Sequence, residues 1–209
     1  MKLLLVGATG LVGRHLLTLA LADPRVKAVV APTRRVLTTH PKLRSPQVDF
    51  DRLPQDADWW QADAVICALG TTMRTAGSEE AFRRVDCDYP LTVARLAHAH
   101  GTPTYALNSA IGADAGSSFF YNRVKGELEQ ALMGQGFESL TCVRPGVIGG
   151  HRDEFRLGER MMVIGLTLAG PLLPKRWRLN PPPQIASALL EAAIRPKPGV
   201  HVVTSDRMI

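Results

Sequence analysis

The chain reads as a three-layer α/β protein built on a doubly wound parallel sheet, with a small C-terminal cap or insertion. Three observations predict this. Short apolar runs alternate with stretches of helical period along nearly the whole sequence. One such run, Ala64-Val65-Ile66-Cys67-Ala68-Leu69, is continuously apolar, as a strand covered on both faces must be. The segments joining the strands are long enough for right-handed crossovers.

Each element follows in order. Residues 2–6 are a buried first strand, and the glycine-rich turn at 7–13 opens a helix that Asp23-Pro24 closes. Further strands are expected at 26–31, at Val48-Asp49-Phe50, and at 64–69, 104–107, 139–143 and 201–204. Helices are expected at 79–100, where Phe82, Val85, Tyr89, Val93 and Leu96 recur three or four apart, and at 119–133. A last helix spans 184–194, after Pro181-Pro182-Pro183, and Trp59-Trp60 fit a short helix packed on the sheet. Between 146 and 183 the alternation lapses. Gly149-Gly150-His151-Arg152 reads as loop and 155–169 as helix, with Pro171, Pro174 and Trp177 beyond. The expectation is one domain over 1–209, with 147–183 as a substrate-side lid or cap.

Composition narrows the function classes. With 45% hydrophobic and 21% charged residues, the chain is neither disordered, collagenous nor coiled coil. Cys67, Cys87 and Cys142 are scattered, odd in number and without a CxxC, which fits a reducing compartment. The apolar start stops at Gly7, which suits a strand better than a signal sequence. The apolar stretch 161–173 is interrupted by Gly165, Gly170 and Pro171 and is too short to span a bilayer. A cytoplasmic protein without membrane attachment is expected. The six histidines show no ligand spacing, so no metal is expected. Net charge is +6, and from Arg144 onward ten basic residues face five acidic ones, so an anionic partner is favoured. Nucleic acid is disfavoured, because no block of like charge or aromatic platform is present. His151, Arg152 and Arg156 could meet an acidic substrate, although a solvated basic face explains them as well.

Gly7-Ala8-Thr9-Gly10-Leu11-Val12-Gly13 follows a strand and opens a helix, the context that a Rossmann-like dinucleotide site requires. Gly7 permits the tight turn, Gly10 lets the backbone approach a pyrophosphate, and Gly13 lets helix and strand pack closely. The amides of Thr9, Leu11 and Val12 complete that cradle. No acidic residue ends the second strand; Arg34-Arg35 stand there instead. Arginine at that point accommodates a 2′-phosphate, so the expected cofactor is NADP, with NADPH preferred over NADH. Leu69, Gly70, Thr71 and Thr72 end the fourth strand and should lie beside the cofactor. Tyr121 and Lys125 are four apart on one helix face. A phenol is a weak acid at neutral pH, and a nearby ammonium stabilises its phenolate. Lys125 can also bond ribose hydroxyls, and Ser109, just past the fifth strand, can bond a substrate oxygen.

Together these motifs resemble the atypical and extended short-chain dehydrogenase/reductases. More narrowly, they resemble the small NAD(P)-binding proteins related to the Tat-interacting-protein oxidoreductases and to NmrA-like proteins. The likeness also takes in Arg83-Arg84-Val85-Asp86, Gly112-Ala113-Asp114, the residues from Tyr121 to Glu127, Arg144-Pro145-Gly146, and the stretch from Gly149 to Glu159. It implies a Ser-Tyr-Lys set at 109, 121 and 125, Pro145 as a further cofactor contact, and a homodimer formed by the helices from Glu79 and Phe119. Three departures stand out. Ala110 replaces a second serine, Asp86 sits where many extended members have asparagine, and only 64 residues follow Pro145, little room for an epimerase substrate domain. The expected activity is hydride transfer between NADPH and a small carbonyl or quinone-like substrate, with Tyr121 as acid and base. The alternative is an NADPH-binding redox sensor or regulatory protein that works through a protein partner without significant turnover.

Overall fold

A computed structural model describes residues 1–148 and 179–209. Seven strands form one sheet: β1 (Lys2–Val6), β2 (Ala28–Val30), β3 (Leu43–Arg44), β4 (Ala64–Cys67), β5 (Thr104–Asn108), β6 (Ser139–Arg144) and β7 (Gly199–Thr204). Their order is β3-β2-β1-β4-β5-β6-β7, and every pairing is parallel. The chain winds outward from β1 to β3, returns to β4, and winds outward on the other side. That reversal makes the gap between β1 and β4 the topological switch point.

Helices cover both faces: α1 (Leu11–Ala22), α2 (Met73–Ala76), α3 (Glu79–Arg83), α4 (Tyr89–Ala99), α5 (Phe120–Met133) and α6 (Pro182–Ile194). Successive strand residues point to opposite faces, which divides the core in two. Leu4, Val6, Val65, Cys67, Tyr105 and Leu107 pack under α4 and α5 together with Trp59 and Trp60. Leu3, Leu5, Ile66 and Ala106 pack under α1 and α6. All of these residues are buried, which is why β1 and β4 read as unbroken apolar runs.

Two expectations are corrected. The third strand is Leu43–Arg44 and not 48–50. The Asp49 carboxylate accepts the Asp51 N–H at 3.0 Å and its carbonyl accepts the Arg52 N–H, so the chain turns there instead of extending. Phe50 still packs into the core. The expected helix at 79–100 is α3, a π turn over Arg84–Asp88, and α4. Pro90 has no N–H for the Asp86 carbonyl and its ring crowds that group, so the preceding turn widens. The Tyr89 N–H reaches back to the Arg84 carbonyl. The middle of the expected lid, its helix at 155–169, and His151, Arg152, Arg156 and Trp177 lie outside the described residues.

Candidate functional site

Because the strands are parallel, the loops after β1, β2, β4, β5 and β6 emerge along one edge. The glycine turn sits at the switch point on that edge. Gly7 has φ +91°, and a Cβ there would lie 2.6 Å from the Ala68 carbonyl carbon. A Cβ on Gly13 would lie 2.0 Å from the Gly7 carbonyl oxygen, so this glycine lets α1 start directly over β1. Thr9 and Gly10 are exposed, while Val12 buries its side chain and offers only its backbone. Among the described residues no side chain caps α1 at Gly10, and its first turn has no acidic residue. Its leading amides therefore remain available to an anion.

Arg34 and Arg35 stand on the same edge, past β2 and the buried Thr33. The Arg34 carbonyl accepts from Gln47 Nε2 at 3.3 Å, and the Arg35 N–H bonds Thr33 Oγ1 at 3.2 Å. Both side chains are exposed, and neither guanidinium has an ion-pair partner among the described residues. Past β4, Gly70 is exposed and Thr72 caps α2 by accepting the Thr75 N–H at 3.1 Å. The Thr71 N–H donates to Asp86 Oδ2 at 2.7 Å.

Helix α5 carries the chemistry. Its face at i, i+4 and i+8 presents Tyr121, Lys125 and Glu129. Tyr121 is 41% exposed, and its ring rests against the buried Phe82 with centroids 5.8 Å apart. Lys125 is 3% exposed, and its Nζ lies 2.7 Å from Asp86 Oδ1. Burial works against this ammonium, Asp86 and Tyr121 favour it, and the balance raises Lys125 above the ordinary lysine value. Tyr121 and Lys125 are thus brought together, with the amine held charged.

Ser109 belongs to a second group. It lies two residues past Leu107 and so faces α5, where its hydroxyl donates to the Glu129 carboxylate. Glu129 is 1% exposed and also accepts from Arg144 through Nε at 3.0 Å and through Nη2. Pro145 is buried, and its carbonyl accepts the Ile111 N–H at 2.7 Å, which extends the β5–β6 pairing beyond both strands.

Sequence reasoning missed Glu129, Asn180 and the role of Gly126. Glu129 had a signal, a charge repeating at i+4 from Lys125 on an otherwise apolar face. Asn180 had none: it is fully buried, accepts the Gly146 N–H at 2.7 Å, and donates to the Ser205 and Met208 carbonyls. A Cβ on Gly126 would lie 2.1 Å from the Ala115 nitrogen, so this glycine lets the 112–116 loop cross α5. Among the described residues no cluster could hold a metal ion, and no helix is long and apolar enough to cross a membrane.

A glycine turn at the switch point of this sheet, with a Tyr–Lys pair on the helix after the fifth strand, defines a Rossmann-fold protein of the short-chain dehydrogenase/reductase type. The chain is 38% identical over 165 residues to "Protein fmp52, mitochondrial" of Emericella nidulans, covering 74% of this chain and 70% of that one. It is 40% identical over 160 residues to "Protein HTATIP2" of Rattus norvegicus, covering 74% and 66%. It belongs to the atypical short-chain dehydrogenase/reductase family that contains FMP52 and HTATIP2. No protein-family model matches it. Among solved structures it resembles MoeE5 in complex with UDP-glucose and NAD, with TM-score 0.73 at 18% identity over 97% of this chain and 75% of that one. It also resembles the oxidoreductase ylbE of Lactococcus lactis, with TM-score 0.70 at 16% identity over 100% and 94%. At such identities the likeness shows the fold.

Proposed function

We propose that the protein is an NADP-dependent oxidoreductase that moves a hydride between NADPH and a small carbonyl or quinone-like substrate, with Tyr121 as acid and base. The observation that carries this reading is the exposed Tyr121 paired with a buried, charged Lys125 on the edge where the glycine turn opens. The residues present suit the dinucleotide. The uncapped amides of Leu11, Val12 and Gly13 would take the pyrophosphate, and a Cβ at Gly7 or Gly13 would force apart the backbone that forms the turn. Arg34 would take the 2′-phosphate, with Arg35 against the adenine or in solvent. The turn from Leu69 to Thr72 and the segment at Pro145 would flank the nicotinamide half, and Lys125 would donate to its ribose hydroxyls. MoeE5 is described with NAD and ylbE as an oxidoreductase, which supports dinucleotide-dependent redox chemistry and leaves the choice of NADP to rest on Arg34.

When bound, the cofactor supplies the hydride. Tyr121 gives its hydroxyl proton to the substrate oxygen in reduction and takes one from the alcohol in oxidation. Lys125 stabilises the phenolate left behind. Ser109 lies one strand end away, its own proton engaged by Glu129. The three cysteines are free and buried, which suits a reducing compartment, and we place the protein in the cytoplasm. Fractionation decides between that compartment and the one in the fungal relatives' printed names.

Calorimetric titration with NADPH, NADH and NADP⁺ tests the reading. NADPH should bind at least about tenfold tighter than NADH, about 1.4 kcal/mol, and Arg34→Ala should close that gap. Tyr121→Phe should keep the affinity and lower turnover on a carbonyl panel by about 10²–10⁴-fold. Failure of every dinucleotide to bind would sink the proposal. Binding without turnover on the panel would favour the redox-sensing alternative.

A further inference from the structure

We infer that Asp86 is a positioning residue for Lys125: its carboxylate, carried on a π turn, keeps the lysine a charged ammonium inside the protein and fixes it against the turn that follows β4. This rests on the proposed oxidoreductase reading only where turnover is the readout.

The carboxylate acts on two elements at once. Oδ1 lies 2.7 Å from Lys125 Nζ on α5, and Oδ2 accepts the Thr71 N–H at 2.7 Å. The side chains of Lys125 and Asp86 are 4% and 2% exposed, so almost no water contributes to holding the charge. A Cβ on Gly70 would sit 3.4 Å from Asp86 Oδ1, so the turn closes directly over the pair. The titratable groups acting on Lys125 are Asp86 from the π turn, Tyr121 from its own helix and Cys67 from β4, with Cys87 next along the π turn. Asp86 is the carboxylate of this set. Burial raises both thiols and keeps them uncharged at neutral pH.

An ammonium buried without such a partner loses its proton in the range where enzymes work. A neutral amine cannot stabilise a phenolate, so the charge on Lys125 is a requirement and Asp86 supplies its condition. The π turn carries the carboxylate: it buries Asp86 at the widened turn between α3 and α4, facing α5 and the turn after β4. Single π turns inside helices are concentrated at functional sites.

The chain has six lysines, so ¹³Cε-lysine NMR resolves them, and Lys125→Met assigns the resonance. In the wild type, Lys125 should stay charged from pH 6 to pH 10. In Asp86→Asn it should lose its charge below pH 10, and Asp86→Glu should restore most of it. A wild-type Lys125 that turns neutral below pH 10 overturns the inference, and it does so even if Asp86→Asn fails to fold. Asp86→Asn with Lys125 still charged at pH 10 overturns it too. In kcat/KM profiles, Asp86→Asn should lose at least tenfold relative to wild type between pH 6 and pH 9. A wild type with no turnover on the carbonyl panel would sink the oxidoreductase reading and leave the lysine titration to judge Asp86 alone.

Discussion

Helix α5 carries two buried ion pairs one turn apart, and they differ in which partner is hidden. At Lys125 the cation and its carboxylate are both enclosed, at 4% and 2% side-chain exposure. At Glu129 the carboxylate is enclosed at 2%, while the Arg144 side chain is 29% exposed. The first pair ties α5 to the turn after β4 and lies beside the exposed Tyr121. The second ties α5 to the ends of β5 and β6 through Ser109 and Arg144. A cation that can reach water needs its partner less. The enclosed pair can therefore set a charge for chemistry, while the half-open pair mainly fastens three elements.

The largest difference should follow from removing one partner of each pair. Lys125→Met leaves Asp86 buried without its cation and should cost about 3–5 kcal/mol of stability. Glu129→Gln keeps an acceptor for Ser109 and leaves Arg144 able to turn to solvent, so its cost should be about 1–3 kcal/mol. Urea unfolding of both variants at pH 7 measures this. Equal losses, or a larger loss at Glu129, would break the comparison.

Ser109 sharpens it at a smaller scale. Its hydroxyl proton is already given to Glu129, so Ser109→Ala removes one buried hydrogen bond, worth about 1 kcal/mol. Turnover should change less than about tenfold, well short of the effect expected for Tyr121→Phe. A Ser109→Ala variant as inactive as Tyr121→Phe would place this hydroxyl on the substrate and return the second group to the chemistry.

The two pairs were unequally legible in the sequence. Tyr121 and Lys125 are four apart in the chain, and the glycine turn needs only seven successive residues, so both could be read from spacing. Local periodicity likewise gave the order of strands and helices and the buried runs of β1 and β4. Glu129 finds Ser109 and Arg144 twenty and fifteen residues away on neighbouring strands, a contact that exists only once the sheet is ordered. The π turn was hidden because the apolar spacing across 79–100 continues through it, and Pro90 marks the irregularity without saying which way the turn widens. The two-residue β3 is an edge strand with too few side chains to show a period.

The smallest expected effect uses two thiols as reporters of the two pairs. Burial raises Cys67 and Cys142 above the ordinary thiol value. Among the charges of the two pairs, Lys125 acts most on Cys67 and lowers it, while Glu129 acts most on Cys142 and adds to the burial that pushes it up to about 12. A thiol whose folded value is raised contributes stability that is fully present below its unfolded value, near pH 9, and is lost as pH rises through the folded value. For Cys142 that window runs from pH 9 to about 12. At pH 9.5 its share of the loss should be just under about 1 kcal/mol. Cys142→Ala creates a small cavity whose cost is the same at both pH values, so the informative quantity is the change in stability between pH 7.5 and pH 9.5. That change should be smaller in the variant than in the wild type. Combining Cys142→Ala with Glu129→Gln should add little further relief, since the carboxylate acts on alkaline stability here through that thiol. Identical pH dependence in wild type and Cys142→Ala would mean that neither burial nor the Glu129 charge raises this thiol, and the contrast between the two pairs would lose its electrostatic half.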